Sequence, residues 1–345
     1  MIFSIADDLL IKLKNGEKIE RQEYIFEQLY NLIRSKNNVL LTESKYLLVN
    51  FFDIIKNDYD EKIKVVLKYL YESYVQYNSL KDIVKYRVIL NLKRNIKLED
   101  ELYITWGYLM EKNINLSDKV TILTEDARDG KFYKELVENS NIICHGTNLR
   151  FHYNNGGGSS MDYTYSMCIE NNEDFIFIIV DSDKKHPQGE FGKTCNNIKN
   201  KYTEYELKNY LHSYLHVLNV HEKENLLMPS EYLKMGTPSN KMFNYLLKVE
   251  KERGEYLLYY DLKRGIKNNQ FTGPLREYYS TLLEMFPELE MKCGDLKLPR
   301  FSDVVKKDFE IKDLDTNPNS YLYDIRLNLC NIIYSFGISI NKHIA

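Results

Sequence analysis

Two near-continuous apolar runs, each ending in acid, constrain the fold of this chain more than any other feature. Val120-Thr121-Ile122-Leu123-Thr124 runs into Glu125, with Asp126 and Asp129 following. Phe175-Ile176-Phe177-Ile178-Ile179-Val180 runs straight into Asp181-Ser182-Asp183. Apolar runs without alternation are typical of strands buried on both faces, and such strands belong to parallel sheets covered by helices. Open α/β sheets bind ligands just outside the carboxyl ends of their strands. Acids delivered there from two strands suit a hard divalent cation, Mg²⁺ or Mn²⁺, and such sites commonly carry phosphoryl chemistry. A lone acid at a strand end is usually a turn former. Two acidic ends separated by a Gly-Ser loop make a more specific pattern.

Around these runs the chain divides into three. Residues 1–117 read as a helical domain. Glu20–Ser35 places Ile25, Leu29, Leu32 and Ile33 on one face, and Glu61–Tyr77 does the same with Ile63, Val66, Leu67, Leu70 and Tyr74. Thr42 and Ser79 are expected N-caps. Glycine occurs there only at positions 16 and 107 and proline not at all, which suits a helical bundle. Residues 118–230 read as an α/β domain: a strand at 120–124, a helix from Lys131 to Asn139, a short strand Ile142-Ile143-Cys144, and the loop Asn154–Ser160 opening a helix to Asn171. The strand 175–180, a helix at about 196–213 and a fourth strand Leu215–Val220 follow. Strands alternating with helices at this spacing imply βαβ crossovers and a parallel sheet. Residues 231–345 return to mostly helical patterning.

The segment Glu125-Asp126-Ala127-Arg128-Asp129-Gly130-Lys131-Phe132-Tyr133 resembles the signature of the Toprim family: a strand ending in Glu, an Asp four residues later and an aromatic on the ensuing helix. The Gly-Ser loop, the strand ending in Asp181-x-Asp183 and a last strand ending in Glu224-Asn225 follow in the family's order. The similarity covers about residues 118–230 and is nearest to the OLD-type and PARIS-effector-type nucleases of bacterial anti-phage defence. The resemblance implies a Toprim-like sheet flanked by helical regions and a nuclease cleaving DNA or RNA such as tRNA. It also implies Mg²⁺ or Mn²⁺ held by Glu125, Asp181, Asp183 and Glu224, with catalysis by the first three. Glu222 is a lesser candidate for a second cation. One departure is Asp126, where the family usually has Gly. It favours the alternative, a catalytically silent interaction or regulatory subunit of a defence complex. A third reading, an Asp-x-Asp sugar-nucleotide transferase, leaves Glu125 without a role.

Substrate contacts are expected from the N–H groups of Gly157, Gly158 and Ser159 at a helix N-terminus, from Arg128, and from Lys184 and Lys185 in a local basic stretch. The net charge of −3 gives no global basic field, so nucleic acid would be held by a patch. Gly192-Lys193-Thr194 is no P-loop, because Pro187 stands where its first glycine belongs. Regulation is therefore expected from a separate ATPase or sensor, or from homo-oligomerisation. His212, His216 and His221 do not share one face and read as ordinary histidines. Asp129 reads as a helix-capping acid, and Lys263, Arg264 and Lys267 as a substrate or partner surface or a helix end. Five cysteines without a CxxC pair argue against disulfides and structural zinc. The chain has no signal-like leader and no run of about 18–20 apolar residues, so a cytoplasmic protein without membrane contact is expected.

Overall fold

The computed structural model describes residues 1–171, 175–236, 241–263, 265, 272–287, 311 and 314–341. Arg264 and Lys267 lie outside the described residues. The first sheet is built from β1 (Ile2–Ile5), β2 (Val39–Thr42), β3 (Arg87–Asn91), β4 (Ile96–Lys97) and β5 (Glu101–Thr105), in the order β2-β1-β3-β5-β4. All its pairs are parallel except β4 with β5. The second sheet uses β6 (Thr121–Thr124), β8 (His152–Asn155), β9 (Ile176–Val180) and β10 (Ser213–Val217), ordered β10-β9-β6-β8 and parallel throughout. Between β6 and β8 in the chain lies β7 (Thr147–Leu149), which pairs antiparallel with β11 (Ile338–Ile340).

Residues 1–117 therefore are not helical alone, which corrects the sequence reading. The helices Gln22–Ser35 and Glu61–Tyr77 are present. The strands β1, β2 and β3 are four or five residues of mostly apolar sequence, too short for periodicity to separate strand from helix. Thr42 ends β2 rather than capping a helix, and Ser79 makes no side-chain cap bond. The working cap of Glu61–Tyr77 is Asp60, which accepts from the Ile63 N–H at 2.9 Å.

The parallel α/β expectation for the middle of the chain holds, with local shifts. Ile142-Ile143-Cys144 is not a strand. Its three side chains pack against the main core, and the Cys144 N–H donates to the Tyr334 hydroxyl at 3.2 Å. The helix expected at about 196–213 spans Lys193–Leu207, and the fourth strand is Ser213–Val217 rather than Leu215–Val220.

The unbroken apolar run of β9 follows from what covers its two faces. Ile176, Ile178 and Val180 enter a core with Met161, Tyr165 and Ile169 of the helix Met161–Glu170 and Ile198 of Lys193–Leu207. Phe175, Phe177 and Ile179 enter the larger core shared with the first sheet and the C-terminal helix Tyr323–Gly337. There Phe177 stacks on Phe336 with centroids 4.4 Å apart. Each buried large apolar side chain contributes about 1.5–3 kcal/mol, so both faces hold the carboxyl end of β9 in place. Ion pairs and hydrogen bonds join the sheets as well. Lys97 of β4 pairs with Glu206 at 2.7 Å and donates to the Ser213 carbonyl at 2.6 Å.

Candidate metal centre

Glu125 directly follows β6 and Asp181 directly follows β9, and these are neighbouring strands of the second sheet. After Glu125 the chain turns into the helix Ala127–Glu138. Asp126 caps it by accepting from the Arg128 N–H at 2.9 Å, while Asp129 accepts in return from the Asp126 N–H at 3.2 Å. Gly130 lets this helix lie close on the sheet, since a Cβ there would come within 2.7 Å of the Tyr153 ring. The Asp126 carboxylate also pairs with the Arg128 guanidinium at 2.5 Å. Hydrogen bonding from Arg128 holds its pKa down to about 2. The Asp126 side chain is thus occupied at the helix start.

A third segment, residues 221–225, closes over these two strand ends. The Lys223 N–H donates to Asp181 Oδ1 at 3.0 Å, and one ligand oxygen each from Asp181, Glu222 and Glu224 lie within 4.8 Å of one another. The segment is tied to the C-terminal region: Asn225 Nδ2 donates to the carbonyls of Leu257 and Tyr260, both at 2.7 Å, and the His221 N–H to Leu258 O at 2.8 Å. That stitching delivers Asp261 and Lys263 to the cluster. Lys263 Nζ lies 2.8 Å from both Glu222 Oε2 and Glu224 Oε1. Lys223 Nζ lies 2.9 Å from Asp129 and 3.7 Å from Glu224.

No significant match to the chain is found among protein-family models, curated proteins or solved structures. The functional argument therefore rests on this geometry.

Carboxylates outnumber cations here: Glu125, Asp129, Asp181, Asp183, Glu222, Glu224 and Asp261 face the ammonium groups of Lys223 and Lys263. Burial pushes the Asp181 pKa well up, reinforced by the charges of Glu224 and Glu125. Burial and then Glu224 push Glu222 up to about 8. Glu125 is raised by burial and by Asp183 and Asp129. For Asp129 burial outweighs the nearby Lys223. The lysines respond in the opposite sense: burial disfavours their charge, but the surrounding acids win and raise both pKa values.

The donor set fits a hard dication. All members of the first group are carboxylates, as Mg²⁺ and Mn²⁺ prefer. The lysines satisfy one oxygen on each glutamate, while Glu222 Oε1 and Glu224 Oε2 are buried without a hydrogen-bond partner. Orphaned buried acceptors are costly, and a cation would satisfy both.

The other expected residues fall around this centre. Asp183 is exposed, adopts φ +55°, and stands beside the 4.8 Å group rather than within it, close enough to raise Glu125. Its carboxylate lies over Gly192, where a Cβ would fall 2.0 Å from Oδ2, so Gly192 serves close packing rather than a phosphate loop. The Gly-Ser loop reaches Glu125, but of the three amides expected to meet a phosphate those of Gly157 and Gly158 are engaged within the chain. Gly157 N–H bonds Asn155 Oδ1 at 2.9 Å and Gly158 N–H bonds the Glu125 carbonyl at 3.1 Å. Ser159 is exposed. Lys184 Nζ donates to Pro187 O at 3.3 Å and lies over the Phe191 ring, and Lys185 is half-buried next to it. His212, buried, and His216, half-buried, are not among the residues that gather here, and His212 Nδ1 lies 2.8 Å from the Tyr108 hydroxyl.

Sequence reasoning missed Lys223 and Asp261 and passed over His221 as ordinary. Lys263 was placed on a partner or substrate surface. The acidic Glu222-Lys223-Glu224 run was a usable signal for Lys223. Asp261 and Lys263 had none, because they arrive by tertiary contact.

Proposed function

We propose that the chain is a metal-dependent nuclease that hydrolyses phosphodiesters in DNA or RNA. One observation carries this reading: buried, mutually repelling carboxylates gather at the carboxyl ends of adjacent parallel strands, and two of them keep an unpartnered oxygen. Asp181, Glu222 and Glu224 would hold Mg²⁺ or Mn²⁺, with Glu125 and Asp183 adjoining. Such a cation supplies charge for a phosphoryl oxygen and acidifies water. Glu125 would move the proton, and its raised pKa brings it toward the range useful for that work. Lys223 and Lys263 bring fixed positive charge to the place where a phosphate would bear negative charge. Arg128, Lys184 and Lys185 would contribute further contacts to the substrate.

The order of the motifs along residues 118–230, together with the Glu strand beside the Asp-x-Asp strand, supports a Toprim-type enzyme. A role as an anti-phage effector follows from that resemblance, as does control by a separate ATPase or sensor or by self-association. Among the described residues no helix is long and apolar enough to cross a membrane.

A second reading has its own observation. Lys223 and Lys263 already make four ion pairs with three of the acids, Asp129, Glu222 and Glu224, as they would in a silent Toprim-like subunit stabilised without metal. Asp126 no longer favours it, because that side chain caps a helix. The test is purified chain with Mg²⁺ or Mn²⁺ against plasmid, single-stranded DNA and total tRNA. Cleavage lost in Asp181→Ala and Glu125→Ala supports the nuclease. Cleavage that survives both overturns it.

A further inference from the structure

His221, Glu222 and Asp261 each bring one ligand atom to within 4.8 Å of the others, and Glu222 belongs equally to the group with Asp181 and Glu224. His221 is 5% exposed and Glu222 7%. His221 Nδ1 lies 2.8 Å from the Lys184 carbonyl. A carbonyl only accepts, so Nδ1 carries the hydrogen and Nε2 keeps the lone pair. Nε2 faces Asp261 Oδ2 at 3.9 Å, beyond hydrogen-bond length. Metal-ligating histidines characteristically give their other N–H to a carbonyl or carboxylate, which fixes the tautomer and aims the ring. The backbone is pinned on both sides, with His221 N–H on Leu258 O and Asp183 N–H on His221 O, each at 2.8 Å. Glu222 Oε1, buried with no partner while Lys263 takes Oε2, is an open acceptor that this position can share with the first.

We infer that His221, Glu222 and Asp261 form a second cation position, joined to the first through Glu222, that takes a transition dication such as Mn²⁺ or Zn²⁺ in preference to Mg²⁺. The imidazole nitrogen sets the preference, since nitrogen ligands suit transition metals and Mg²⁺ holds to oxygen. A carboxylate shared between two cations is the arrangement that two-metal phosphodiester chemistry uses to keep them close. The inference rests on reading Asp181, Glu222 and Glu224 as a cation site.

The test uses the full chain with Mn²⁺ alone, read by pulsed electron paramagnetic resonance. Wild type is expected to show ¹⁴N modulation on bound Mn²⁺, retained in Asp181→Asn and lost in His221→Gln. Asp261→Asn is expected to weaken the nitrogen-coupled Mn²⁺ roughly tenfold or more. Bound Mn²⁺ without nitrogen coupling in wild type overturns the inference, as does coupling that persists in folded His221→Gln. Should His221→Gln fail to fold, unchanged nitrogen-coupled affinity in Asp261→Asn overturns it. Mn²⁺ that depends on Asp181 but shows no nitrogen sinks this position alone. No Mn²⁺ binding at all sinks the first site with it.

Discussion

Two sheets in one chain, the first parallel but for its β4 edge and the second parallel throughout, carry acids near their strand ends, and only the second crowds them together. In the first sheet Asp7, after β1, accepts from Ser44 Oγ at 2.7 and 2.6 Å, and Asp8 accepts from the Leu92 N–H at 3.0 Å. Glu43, after β2, lies 3.7 Å from Lys81 and 3.4 Å from Arg87, and Arg87 also pairs with Glu101. Burial opposes the charge on Glu101, but hydrogen bonds from Arg87 and Tyr103 outweigh it and lower the pKa. In the second sheet Glu125, Asp129, Asp181 and Glu222 all shift upward. Asp8 Oδ1 and Glu43 Oε1 also lack hydrogen bonds, so an orphaned oxygen by itself does not mark a site. What distinguishes the second sheet is company: carboxylates there neighbour other carboxylates, and two ammonium groups cannot balance them.

The sharpest way to break this contrast is a pair of variants. Asp181→Ala should lower Mn²⁺-dependent cleavage at least about 100-fold, the upper end of what disturbing a metal site costs. Glu101→Gln should leave cleavage unchanged while costing about 1–3 kcal/mol of stability through its lost charged hydrogen bond. Equal losses of cleavage in both variants would mean that the sheets do not differ in kind.

A smaller effect is expected at the counter-ion. Lys263→Met strips an ammonium from Glu222 and Glu224, and denaturant melts without metal should show a loss on the order of 2 kcal/mol. That is below the cost of breaking a fully buried pair, because the Lys263 side chain is 35% exposed. Mn²⁺ should recover most of the loss. A loss that Mn²⁺ leaves untouched would mean that lysine and cation do not serve the same acids.

The smallest effect is in pH. Glu222 has its pKa raised from 4.5 to about 8. The folded chain therefore binds more protons than the unfolded one in that window, and this contribution to stability is present below 4.5 and lost as pH rises toward 8. His212 and His216 act oppositely: burial lowers them from 6.5 to about 3 and about 4. Their contribution is present above 6.5 and lost as pH falls below it. Glu222→Gln should therefore flatten the metal-free stability profile between about 5 and 8 and leave the acid-side loss intact. An unchanged profile would contradict the shift at Glu222.

The second sheet was legible because β9 is apolar on both faces, so its sequence admits little but a buried strand, and its end fixes Asp181. Glu125 followed in the same way from β6. The first sheet was not legible. Val39–Thr42 and Arg87–Asn91 are short and gain strand character from pairing with β1 rather than from their own pattern. At the candidate site, Asp181 and Glu125 were readable from strand ends, and Glu224 from the acidic run that follows β10. Asp261 and Lys263 were not, because Asn225 and His221 recruit them across more than thirty residues through backbone carbonyls. His221 was set aside on its spacing from other histidines, whereas its neighbours in space are carboxylates.

The most direct measurement is a calorimetric titration of Mn²⁺ into the metal-free full chain, with Asp181→Asn and Glu101→Gln in parallel. Saturable binding in wild type and Glu101→Gln that disappears from the Asp181-dependent position in Asp181→Asn is the expected result. No binding in wild type, or binding indifferent to Asp181, would contradict a cation site at the ends of β6 and β9.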